Sequence, residues 1–184
     1  MGCAGVVPPP PDVAERARAA ASYNASLRVS LRGKDVRGAT RALVAFRRPD
    51  ALRLEIPGPA GARLVAVASE GTLTAVFPGE RAVLRSAATA EGMEALTGLE
   101  LSPRELIDLL VGVPPPRLRA FRVRWGGALP SWIEATLPDG ARLTAVVESA
   151  EAGRELEAAA FVAPLADGYR SVEGTEARRL LGLR

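Results

Sequence analysis

The sequence predicts a mainly β fold of the α+β kind: about ten short strands in one antiparallel sheet that curls or closes partway, with short helices over its open mouth. Three observations carry this. Apolar residues recur with period two in segment after segment. Turn residues separate those segments at short intervals. One central stretch abandons the period-two pattern for helical spacing and a helix-start signature.

Taken in order, Asp12 can cap a short helix through Ala14, Ala17 and Ala21. Leu27, Val29 and Leu31 then alternate with Arg28, Ser30 and Arg32. Ala42, Val44 and Phe46 alternate with Arg41 and Arg47, and Leu52, Leu54 and Ile56 with Arg53 and Glu55. Each of these strands has one apolar and one wet face, as in an antiparallel meander. Further strands are expected at Arg63–Ser69, Thr72–Phe77 and Arg81–Arg85, separated by Glu70-Gly71 and Pro78-Gly79-Glu80. Arg119–Trp125 places Phe121, Val123 and Trp125 on one face. Trp132–Leu137 and Arg142–Glu148 flank Pro138-Asp139-Gly140, a strong hairpin signal. Leu156–Val162 reads as a last strand or edge, and Thr175–Leu183 as a terminal helix.

The central helices are expected over Thr89–Thr97, with Met93 and Leu96 at helical spacing, and from Ser102 onward. Ser102-Pro103-Arg104-Glu105 combines an N-cap, a proline at the first helical position and the glutamate of a capping box. Leu106, Leu109 and Leu110 form its apolar stripe, and Gly112 with Pro114–Pro116 ends it. Asp108 is expected to face solvent.

Composition narrows the function. The chain has 184 residues, enough for a sizeable core, and only 4% are aromatic, so the interior must be aliphatic. Basic residues number 24 against 21 acidic ones, and Lys34 is the only lysine. Arginines alternate with apolar residues instead of forming a basic stripe with stacking aromatics, which argues against nucleic acid. The absence of histidine removes the commonest general base and metal ligand. One cysteine makes no internal disulfide and no multi-cysteine metal site. Carboxylates such as Glu148 and Glu151 lack a catalytic partner set. The reading is therefore a non-enzymatic protein with no cofactor and no metal.

Met1-Gly2-Cys3 looks like the end of a bacterial lipobox with its signal peptide removed, which makes Cys3 the candidate lipid-anchor residue. Pro8–Pro11 would form an extended spacer of ~3.1 Å per residue. The organisation expected is an anchor and tether over 1–11, then one domain over 12–184.

The stretch Ala88-Thr89-Ala90-Glu91-Gly92-Met93-Glu94-Ala95-Leu96-Thr97-Gly98-Leu99-Glu100-Leu101-Ser102-Pro103, leading into Arg104–Pro114, resembles the outer-membrane lipoprotein receptors of the LolB family. The family has a similar acidic helix, Leu-Thr-Gly, connector and amphipathic helix ending Gly-x-Pro. Gly58-Pro59-Ala60-Gly61 and the Asp139-Gly140 hairpin extend the resemblance to about residues 20–150. It implies a half-open antiparallel β-barrel whose apolar cavity accepts the acyl chains of lipoproteins handed over by a LolA-type carrier. It also implies a lipid-anchored, monomeric protein on the periplasmic face of the outer membrane of a Gram-negative bacterium. The acyl-chain residues would be Leu27, Val29, Leu31, Val44, Phe46, Leu52, Leu54, Ile56, Phe121, Val123 and Trp125. Met93, Leu96, Leu106, Leu109 and Leu110 would face ligand from lid helices, and Pro59 and Ala60 would form the membrane or transfer loop.

The residues themselves leave alternatives open. The apolar strand faces could be a closed core, the helices could simply plug the sheet, and Trp125 and Trp132 could be packing anchors. Ala60 stands where the family exposes a larger apolar residue. That moves weight towards a carrier of another amphiphile, such as a glycolipid, or an anchored scaffold that holds no ligand.

Overall fold

The computed structural model describes residues 11–34 and 37–183. Cys3 and all of the expected tether except Pro11 lie outside them. The chain runs α1 (Pro11–Arg18), β1 (Ser22–Arg32), β2 (Arg37–Arg47), β3 (Ala51–Gly58), β4 (Gly61–Ser69), β5 (Thr72–Phe77) and β6 (Ala82–Ala87). Two helices follow, α2 (Ala90–Thr97) and α3 (Pro103–Leu110). Then come β7 (Ala120–Gly126), β8 (Leu129–Thr136), β9 (Arg142–Ala152), a 3-10 turn (Ala158–Phe161), β10 (Arg170–Ser171) and α4 (Gly174–Leu180).

The ten strands form one sheet in the order β10-β6-β5-β4-β3-β2-β1-β9-β8-β7. The sheet does not close, because β10 and β7 remain as its two edges. Pairing is antiparallel except for the short parallel β10–β6 pair. Register puts the apolar period to use. Leu27 lies opposite Ala42, Val44 opposite Leu54 and Phe46 opposite Leu52, so these side chains share the concave face. The intervening arginines of β1 and β2 fall on the convex face.

Local chemistry fixes the connections. Between β4 and β5, Ser69 pairs with Thr72, and the two turn residues Glu70 and Gly71 have φ of 51° and 75°. That double positive φ is the geometry whose twist matches a two-residue hairpin. In the β8–β9 turn, Asp139 Oδ1 accepts the Ala141 amide at 2.8 Å. The Thr89 hydroxyl caps α2 by accepting the Gly92 amide. Gly98 closes the helix in the left-handed conformation, donating to the Glu94 carbonyl at 2.8 Å. Gly92 is forced by packing: a Cβ there would stand 2.0 Å from the Ala87 carbonyl oxygen. α3 carries the full capping box, with Ser102 Oγ accepting from the Glu105 amide and Glu105 Oε2 accepting the Ser102 amide at 2.8 Å.

Three expectations are corrected. α1 begins at Pro11, so Asp12 sits in its first turn instead of capping it, and the helix stops before Ala21. Leu156–Val162 contains a 3-10 turn in place of a strand. The segment lies across the convex face of β3 and β4, where Phe161 and Leu156 pack on Ala51, Val65 and Val67. Both of those strands are already paired on each side, so no edge is open to it. The tenth strand is instead β10, which donates only two residues to the edge of β6.

Candidate functional site: an apolar cavity in the half-barrel

The concave face does not fill completely. α2 packs on β5, β6 and α4, while α3 lies in the concavity between β3 and β8. α3 is pinned at its start by Arg117, which bonds Glu100 and Glu105 at 3.0 Å each. Lower down its length, Asp108 accepts from Arg48 Nη2 at 3.0 Å, tying the helix to the end of β2. Asp108 is therefore half-buried and paired, contrary to the solvent-facing position expected of it.

Between α3 and the strands lies a cavity of about 240 Å³. Its walls are Leu27, Val29 and Leu31 of β1, Ala42 and Val44 of β2, and Leu54 and Ile56 of β3. Leu64 of β4, Ile133 of β8, and Leu143 and Ala145 of β9 continue the sheet side. Leu106, Leu109 and Leu110 cover it from α3, with Leu99 beside them. Among the described residues the polar side chains that reach it are Thr40, Thr97 and Arg63, all on lining positions otherwise dominated by aliphatic groups. The three polar groups already bond to backbone carbonyls, and the aliphatic remainder offers no directional chemistry. It shields methylene groups from water, at ~0.8 kcal/mol for each one buried.

The structure thus brings together Leu27, Val29, Leu31, Val44, Leu54, Ile56, Leu106, Leu109 and Leu110 from the sequence-based set. It places the remaining residues elsewhere. Phe46 and Leu52 face inward but lie at the other end of their strands, in a packed cluster with Tyr23. Tyr23 and Phe46 stack with centroids 5.3 Å apart. Phe121, Val123 and Trp125 belong to β7, the edge strand separated from β1 by β8 and β9. Phe121 packs beside Leu101 and Leu137. Trp125 packs against Gly112, where a Cβ would stand 2.8 Å from its ring, so it is an anchor and does not line the cavity. Trp132 is half-buried and outside the cavity lining, with the Arg124 guanidinium 4.8 Å over its ring. Val123 is half-buried.

The helices are likewise divided. Met93 and Leu96 are 1% and 0% exposed, belong to the core and are not among the lining residues, so α2 plugs the sheet and does not present them to the cavity. Pro59 and Ala60 are exposed at the β3–β4 hairpin, where Gly58 pairs with Gly61. Ile56 and Arg63, flanking that hairpin, reach the cavity.

Sequence reasoning missed several lining residues, among them Leu64, Leu99 and Ile133 and the two groups that follow. Leu143 and Ala145 lie on a strand that was recognised, and only its pairing with β1 shows that they face the same space. Leu181, Gly182 and Leu183 come from the C-terminal end, which reaches back over β2 beside Gly38. The apolar pair Leu181 and Leu183, just beyond a helical segment, was the available signal.

On the convex face, Glu148 accepts from Ser26, Arg28 and Arg41. The Arg41 bond is the largest cause holding its carboxyl below the usual range, with Arg28 and Ser26 adding to it. The cluster joins β9, β1 and β2 across the sheet, a structural arrangement.

Fold and site together define an open antiparallel half-barrel around an apolar pocket. No protein-family model matches the chain, and no curated relative matches it. Among solved structures it is similar to an uncharacterized conserved protein from Thermus thermophilus, with 13% identity over 88% of this chain and 94% of that one, at a TM-score of 0.46. It is also similar to a LolA superfamily protein from Nitrosomonas europaea, with 11% identity over 83% of this chain and 96% of that one, at a TM-score of 0.49.

Proposed function

We propose that the protein binds acyl chains in the half-barrel cavity, and that it does so as a lipid-anchored, monomeric participant in moving lipoproteins to the outer membrane. The observation that carries the binding is the cavity itself: about 240 Å³ walled by leucine, isoleucine, valine and alanine. A space of this size takes the leading part of one chain; eight buried methylenes would gross about 6 kcal/mol, less the cost of ordering the chain. The lipoprotein assignment, a LolA-type donor and the periplasmic face of the outer membrane follow from the resemblance of the central helical run to the LolB family, and anchoring through Cys3 from the lipobox-like Gly2-Cys3.

A second reading has its own observation. Ala60 is exposed at a hairpin tip but buries little surface, so this loop would insert weakly into a bilayer. That favours a carrier of another amphiphile within the same cavity.

Titration with an environment-sensitive fatty acid, followed by competition with a palmitoylated peptide, tests the binding. We expect saturable binding that the peptide displaces. Ala42→Trp, which would fill the cavity between β1 and β3, should weaken the probe at least tenfold while the fold persists by circular dichroism. Equal affinity in wild type and this variant would place the ligand elsewhere. Complementation of a LolB-depleted bacterium separates the two readings: failure by a well-expressed, anchored protein would count against lipoprotein insertion.

A further inference from the structure

We propose that the C-terminal segment Leu180–Leu183 is a displaceable lid on the cavity, latched by Arg63. The proposal rests on reading that cavity as a ligand site, and concerns how it opens. α4 is fixed at its beginning: Gly174 lies so close to α2 that a Cβ would stand 2.8 Å from Ala95 Cβ, and Arg178 Nη1 donates to the Glu94 carbonyl at 3.1 Å. Its far end is held differently. The Gly182 amide donates to the Arg179 carbonyl at 2.9 Å and the Leu183 amide to the Arg178 carbonyl at 3.0 Å. With Gly182 at φ 73°, this double bond pattern turns the chain sharply off the helix. The turn lays Leu181 and Leu183 against the cavity.

Leu180 and Leu181 pack on the main core and Leu183 on the cluster around Leu31, and two further contacts hold the turn. Arg63, on β4, donates from Nε and Nη2 to the Leu180 carbonyl at 3.2 and 2.7 Å, satisfying an oxygen that the helix end leaves open. Leu183 rests over Gly38 of β2, where a Cβ would come within 2.8 Å of Leu183 Cδ2. Leu180, Leu181 and Leu183 are only half-buried, and Arg63 is exposed. Beneath them Ala42, Val44 and Leu64 are buried. A half-buried segment held by apolar edges and one exposed arginine opens at lower cost than the fully paired sheet it covers. An entering chain would replace the apolar cover that Leu181 and Leu183 supply.

Accessibility of a buried thiol tests the lid without needing a ligand. In the full chain carrying Cys3→Ser and Ala42→Cys, alkylation by a small thiol reagent reports opening over the cavity. Arg63→Ala removes the latch and Gly38→Val pushes Leu183 away. Each should raise the labelling rate roughly tenfold, the effect of losing one or two modest hydrogen bonds or an equivalent packing contact, with circular dichroism unchanged. Unchanged rates in both folded variants would overturn the lid. Palmitate added to the parent thiol variant should slow labelling if acyl chains bind there. Faster labelling in the two variants with no protection by palmitate would keep the lid and reject the acyl reading.

Discussion

Tyr23 shows how the closed end of the half-barrel differs from the cavity above it. Its ring stacks on Phe46 and it is 1% exposed, yet its hydroxyl has no hydrogen-bond partner among the described residues. Burial pushes its phenol pKa well above the usual value. A desolvated, unpaired hydroxyl costs stability, whereas the ring contributes packing. Tyr23→Phe should therefore leave the urea midpoint unchanged or raise stability by up to about 1 kcal/mol. A clear loss would mean that the hydroxyl has a partner. Individual cavity residues were partly legible. Leu27, Val29, Leu31, Val44, Leu54 and Ile56 share the inner face that the alternation predicts, and all six reach the cavity. Phe46 and Leu52 obey the same alternation and still do not, because period two fixes the face of a strand and says nothing about which end of that face is filled.

At the scale of elements, the strongest local signals became structure: the capping box at Ser102 and Glu105, the Asp139-Gly140 hairpin and the alternating β1, β2 and β3. Leu156–Val162 shows the limit. Its apolar residues are real packing residues, but whether they make a strand depended on a free edge, which is a property of the whole sheet. β10 could not be read at all, since two residues carry no period. The joining of β1, β2 and β9 gives a prediction of its own. Glu148 has a lowered pKa when folded, chiefly through its bond from Arg41. Its contribution is therefore present above the unfolded value of ~4.3 and lost as pH falls through the lower folded value. Glu148→Gln should be less stable than wild type at pH 7, and the gap should shrink on acidification below about pH 4. A gap independent of pH in chemical denaturation would show that the carboxylate charge does not matter.

Over the whole molecule, the open sheet has a packed end and a hollow one. α2 and the stacked Tyr23–Phe46 pair belong to the packed core, and α3 with the C-terminal segment encloses the space that remains. Composition already required an aliphatic interior, and about ten short strands in one sheet implied that it curls. Neither could show that the interior is incompletely filled, because a cavity is the difference between the volume a backbone encloses and the side chains that occupy it. The central claim is that acyl chains enter this space. Methyl NMR of a leucine-, valine- and alanine-labelled sample, titrated with a palmitoylated peptide, tests it most directly. The account predicts saturable shifts at Leu27, Val29, Leu106, Leu109 and Leu110, with little change at the convex-face residues Leu43 and Val146. Shifts confined to Leu43 and Val146, or none in a well-folded sample, would contradict it.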